Sequence, residues 1–165
     1  MTASGQGDPA WGLARQDTFR GALRQMFHSA LQRLSADGSL ADYRGFSASE
    51  ASTQVVLPVV DKNFGPFAGK KGWNSWFRVL AFDGSAANVY VVYYSAQFPR
   101  GLFPQSPILA AGGFTFRQNE DSRLPDGWVG SAVVVADRPV TVVANLQSDV
   151  FQGDPVMLYN GVPIK

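Results

Sequence analysis

The chain has 165 residues, of which 45% are hydrophobic and 16% charged, and its formal net charge is +1. That length fits one domain with a modest extension. The near-neutral charge leaves no electrostatic footprint for nucleic acid, and the lack of cysteine excludes disulfides, thiolate catalysis and Cys-based zinc sites.

Residues 1–9 are small, polar and Gly-rich and read as a tail; residues 1–11 lack the basic start and apolar run of a signal peptide. Asp17 suits a helix N-cap, because its carboxylate can accept a free backbone N–H of the first turn. Phe19, Leu23, Met26, Phe27, Ala30, Leu31 and Leu34 then recur at helical spacing, and Gly38 offers a stop. This pattern predicts an amphipathic helix over 17–36, its apolar stripe bordered by Arg15 and Arg33 on one side and Arg20 and Arg24 on the other. Such a stripe suits packing on the chain's own sheet or a subunit contact. A membrane surface ranks third, since the helix has no Lys and its apolar face no Trp.

After a Ser-, Ala- and Gly-rich connector, short runs of Val, Ile, Phe and Tyr alternate with turn residues. They predict strands at 54–60, 76–82, 88–95, 114–117, 129–136, 140–146 and 156–159, with a weaker one at 108–110. Two hairpins are expected, one around Asp83-Gly84 and one around Asp137-Arg138-Pro139. Val79, Val91, Val133 and Val142 are expected inside the sandwich. In 89–94 and 132–135 neither strand face is polar, whereas a strand with one wet face alternates. The sheet carrying these strands is therefore expected to be covered on both sides. A charged fraction below the roughly 25% usual in soluble domains points the same way, although Gly, Ser, Asn and Gln can also solvate a surface.

Gly72-Trp73-Asn74-Ser75-Trp76-Phe77-Arg78-Val79 and Ala87-Asn88-Val89-Tyr90-Val91-Val92-Tyr93-Tyr94 form one signature. Leu124-Pro125-Asp126-Gly127-Trp128-Val129-Gly130-Ser131-Ala132-Val133-Val134 and Asp137-Arg138-Pro139-Val140-Thr141-Val142-Val143-Ala144-Asn145 form a second. With Val56-Leu57-Pro58-Val59-Val60, they resemble a β-rich module found, often in tandem, in large secreted surface proteins of bacteria. The resemblance covers roughly residues 55–159, excludes the predicted helix, and differs in having one copy. It implies an extracellular or cell-surface setting and a structural or adhesive role, and brings no catalytic residues.

His28 is the single histidine; a triad or His-rich metal site needs partners, so it reads as surface. Glu120, Asp121, Asp126, Asp137, Asp149 and Asp154 sit mostly beside Gly, Pro or Ser, where Asp serves turns rather than glycoside hydrolysis. Trp73, Trp76 and Trp128 with Tyr93, Tyr94 and Tyr159 could stack on sugars, but core packing is the stronger reading. Trp73 and Trp128 are the better ligand-stacking candidates because each adjoins a Gly-rich turn.

The expected architecture is mainly β: an antiparallel β-sandwich, jelly-roll or Ig-like, over residues 53–165, preceded by a tail, one N-terminal amphipathic α-helix and a connector over 1–52. The expected function is a non-catalytic structural subunit of an extracellular or cell-surface assembly such as a filament, sheath or surface layer. Phe19, Leu23, Met26, Phe27, Leu31 and Leu34 would mediate contacts in a homo-oligomer or polymer. The alternative is a carbohydrate-binding or adhesion module with a polysaccharide partner. No cofactor, metal or nucleic acid is expected.

Overall fold

A computed structural model of the chain describes residues 30–34, 40–65, 71–104, 106–110, 112–150 and 155–165. Its strands are Ala30–Leu34 (β1), Leu40–Arg44 (β2), Ser52–Lys62 (β3), Trp73–Ala81 (β4), Ala87–Tyr94 (β5), Ile108–Ala110 (β6), Phe114–Arg117 (β7), Trp128–Ser148 (β8), Val156–Asn160 (β9) and Val162–Pro163 (β10). Short 3-10 turns at Ala48–Glu50 and Gln118–Glu120 are the helical elements among the described residues.

The predicted helix over 17–36 is not supported. Its C-terminal part, Ala30–Leu34, is β1, paired antiparallel with β2 so that Leu34 stands opposite Leu40 and Leu31 opposite Tyr43. Helical spacing does not discriminate over so short a stretch, and Asp37-Gly38, taken alone as a helix stop, is equally a hairpin signal between two apolar-containing runs. Phe19, Leu23, Met26, Phe27 and His28 lie outside the described residues. Leu31 and Leu34 are placed on β1.

Strands β3 to β10 form one eight-stranded antiparallel sheet. Its pivot is β8, 21 residues long. The first half of β8 lies between β3 and β5, with Val134 opposite both Val55 and Val91. The second half lies between β4 and β9, with Ala144 opposite both Phe77 and Tyr159. One layer therefore runs β10-β3-β8-β5-β6 and the other β9-β8-β4-β7. The hairpin expected around Asp137-Arg138-Pro139 is absent: β8 continues, leaving β5 for β4 and β9 and passing from one layer to the other, with Val140 opposite both Ser52 of β3 and Ala81 of β4. The stretch is held to the β4–β5 turn, since Phe82 N–H donates to Pro139 O at 3.0 Å and Asn88 donates through N and Nδ2 to the Asp137 carboxylate at 3.0 and 2.7 Å.

Val55, Leu57 and Val60 of β3 meet Phe77 and Val79 of β4 and Ala132, Val134, Val140 and Val142 of β8 in a single core. Burying a side chain of this size contributes about 1.5–3 kcal/mol. Val79, Val91 and Val142 are interior as expected, but Val133 is half-buried on the outer face. Ala132 and Val134 take the inward positions, and strand parity turns Val133 outward.

One end of the core is closed by polar groups. The buried Lys62 Nζ donates to Asp121 O and Leu124 O at 3.0 and 2.8 Å. Arg123 grips Asp121 with two nitrogens at 2.9 and 2.6 Å and lies 5.0 Å from the centre of the Tyr93 ring, whose hydroxyl accepts from Gln118 Nε2 at 3.1 Å.

Candidate functional site

Inward Ser75, Phe77 and Val79 force Asn74, Trp76 and Arg78 onto the outer face of the second layer. Register then assembles cross-strand rows. Trp76 stands between Arg117 of β7 and Asn145 of β8, while Asn74 faces Gln147, which faces Val156 of β9. At the end of this face Asn74, Trp76, Arg117, Gln147 and Val156 wall a cleft of about 400 Å³, with Lys71 and Asp149 at its rim and Asn119 on the turn after β7. Asp149 joins the two rims: its carboxylate accepts from Lys71 N at 3.1 Å and Gly72 N at 2.8 Å. Trp76 is half-buried, so part of its indole remains accessible, whereas Lys71, Arg117, Asn119 and Gln147 are exposed. The cleft combines a flat apolar wall, carboxamides that both donate and accept, and two cations, a set suited to binding a polyhydroxylated ligand.

The outer face of the first layer is of opposite character. Val162, Val56, Val133 and Val92 form a row across four strands, flanked by a row containing Ile164, Gln54, Val135 and Tyr90. Val162, Ile164 and Tyr90 are exposed at 56%, 43% and 41%. No charged residue belongs to either row.

The two predicted stacking residues are not in the cleft. Trp128 is a core residue with 3% exposure, its ring edge-on to Tyr93 at 6.4 Å and tilted against Phe98 at 5.7 Å, so it presents no face to a ligand. A neighbouring Gly-rich turn is a poor guide, because the turn can fold over the ring. Trp73 is half-buried, bridged through its backbone to Phe64, and is not among the residues lining the cleft. Trp76 is the tryptophan that lines the cleft, and the alternation Asn74, Trp76, Arg78 against Phe77 and Val79 is the signal that identifies it.

The carboxylates serve local structure. Burial alone would raise the Asp121 carboxyl, but its bonds to Arg123 outweigh this and hold it below the usual range, while the same bonds to Asp121 raise Arg123. Asp137 is likewise lowered, chiefly by the Asn88 side chain. Asp61 goes the other way, its carboxyl raised by burial. Burial also pushes the Tyr93 hydroxyl far up, so it remains neutral. Among the described residues, no three His, Cys, Asp or Glu side chains converge as a metal-binding group. Asp154 and the lone His28 fall outside them.

No family model and no curated protein matches this sequence. The chain is similar in structure to the crystal structure of Thermotoga maritima 1070, with a TM-score of 0.54 over 68% of this chain and 95% of that one, at 10% sequence identity. At that identity the likeness is one of fold.

Proposed function

We propose that the protein is a non-catalytic structural subunit of an extracellular or cell-surface assembly and that copies meet through the outer face of the first layer. The observation carrying this reading is the uncharged row Val162–Val56–Val133 with exposed Ile164 and Tyr90 beside it; Val92, at the far end of the row, is buried within the chain. Contiguous apolar patches on single chains commonly mark contact sites. A second copy is the occupant the chemistry favours, because an uncharged face is complementary to itself and a two-fold contact opposes no like charges. The surface setting rests on the resemblance to a module found, often in tandem, in large secreted surface proteins of bacteria. Within the sandwich class, one long strand shared by both layers favours a bent, folded-over sheet over an Ig-like arrangement.

Light scattering on the full chain over a wide concentration range tests this. The wild type should associate, and Val133→Asp should be monomeric with an unchanged circular dichroism spectrum, since a charge in a dry contact is costly. A wild type that stays monomeric, or a folded Val133→Asp that associates equally well, would sink the proposal.

A second reading, a carbohydrate-binding or adhesion module, is favoured by the polar cleft walled by Trp76 on the opposite face.

A further inference from the structure

We infer that the cleft selects a saccharide bearing carboxylates, a uronate. The inference rests on the carbohydrate-binding reading and adds the charge of the ligand. Three features carry it. First, Trp76 is half-buried and lines the cleft, so its indole supplies the apolar aromatic surface on which the C–H groups of a pyranose pack. Second, Asn74 and Gln147 are direct cross-strand partners, so their carboxamides leave the sheet side by side. A pair of neighbouring groups that both donate and accept matches vicinal sugar hydroxyls, each of which also does both.

Third, the charges are unequal. Lys71 and Arg117 both line the cleft, and Asp149 is the one carboxylate among the described lining residues. Its two oxygens are turned to the backbone N–H groups of Lys71 and Gly72. Glu120 stands 3.9 Å from Arg117 Nε, but both side chains are more than half exposed; pairs of this kind contribute little and leave the guanidinium open to a better partner. A planar guanidinium binds a carboxylate with two parallel bonds. A neutral sugar would use the amides and the indole but bring no charge to the two cations, leaving Arg117 with its exposed pair to Glu120.

The test is a titration of the full chain against an array of uronate oligosaccharides, each accompanied by its carboxyl-reduced, neutral counterpart. The uronate form should bind at least tenfold more tightly than its neutral counterpart, with affinity falling as salt is raised. Arg117→Gln, on an exposed edge strand, should remove most of that difference, whereas Trp76→Ala, shown to be folded by circular dichroism, should weaken both forms. Equal binding of charged and reduced forms overturns the inference while leaving the carbohydrate-binding reading intact. Binding of neither form by the folded protein overturns both.

Discussion

Gly161 joins β9 to β10 at the place where the chain crosses between layers. A methyl group there would land inside the van der Waals radius of Val55 Cγ1 and also 3.2 Å from Val142 Cβ and 3.3 Å from Leu57 Cδ2. All three neighbours are core residues with at most 1% exposure. The backbone cannot retreat easily, because Gly161 N–H donates to Val142 O at 2.8 Å, and Val55 is β-branched with few rotamers to escape into. Gly161→Ala therefore overpacks the core at a cost of about 1–3 kcal/mol. Alanine's lower entropy in the unfolded chain offsets about 0.4–1 kcal/mol of this. A net loss of about 1–2 kcal/mol lowers the melting temperature by roughly 2–8 °C in a domain of this size. Thermal unfolding followed by tryptophan fluorescence reads it directly. A double-mutant cycle with Val55→Ala sharpens the test, since removing the clashing methyl groups should make the pair less destabilised than the sum of the single changes. If Gly161→Ala melts at or above the wild-type temperature, or if the two changes simply add, the close approach of this corner to Val55 is wrong.

Lys62→Met should destabilise by about 1–3 kcal/mol in urea unfolding, because Asp121 O and Leu124 O lose their donor in a buried setting; an equally stable variant would mean that burying the ammonium costs as much as its bonds return. For Asp61, the folded-state carboxyl is raised above 3.8, so the folded state holds its proton in a window where the unfolded chain has lost it, and stability falls as pH rises through that window. Asp61→Asn should then raise the urea midpoint at pH 7 with the gain vanishing at pH 3; equal losses at both values would refute the account. Trp128→Ala should cost about 3–5 kcal/mol and leave saccharide binding by the remaining folded protein unchanged; a fully stable variant that no longer binds would return Trp128 to the ligand surface.

Much of the sheet is legible in the sequence because alternation and turn residues act locally. The strands at 108–110 and 114–117 coincide with β6 and β7, and those near 54–60 and 88–95 differ from β3 and β5 by at most two residues at either end. What depends on distant partners is not legible. Asp137-Arg138-Pro139 has the composition of a reversing turn, and only the pairing of Val134 with Val55 and Val91, against Val142 with Val79, shows that the strand goes on. The Ala30–Leu34 segment is decided by its pairing with Leu40–Arg44 rather than by its spacing. The cleft was hidden for the same reason. Arg117, Trp76 and Gln147 come from three strands, and register alone brings them to one wall.

The outer positions of β8 carry the chemistry of both faces. Inward residues keep even numbers from Trp128 through Ala132, Val134 and Ala136 to Val140, Val142, Ala144 and Leu146, so parity survives the crossing between layers. The odd positions take the other side of the strand: Val129, Ser131, Val133 and Val135 before the crossing, and Thr141, Val143, Asn145 and Gln147 after it, where Thr141 and Asn145 are buried beneath their neighbours and Gln147 is exposed. Both halves of β8 turn their even positions into one core, so the odd positions of each half lie outside it. A contact made through the apolar rows of the first layer uses none of the residues that line the cleft beside Trp76. In the proposed assembly each subunit would thus present its cleft to solvent, and a weak saccharide site repeated along the assembly would gain affinity by multivalency without any change in its own contacts.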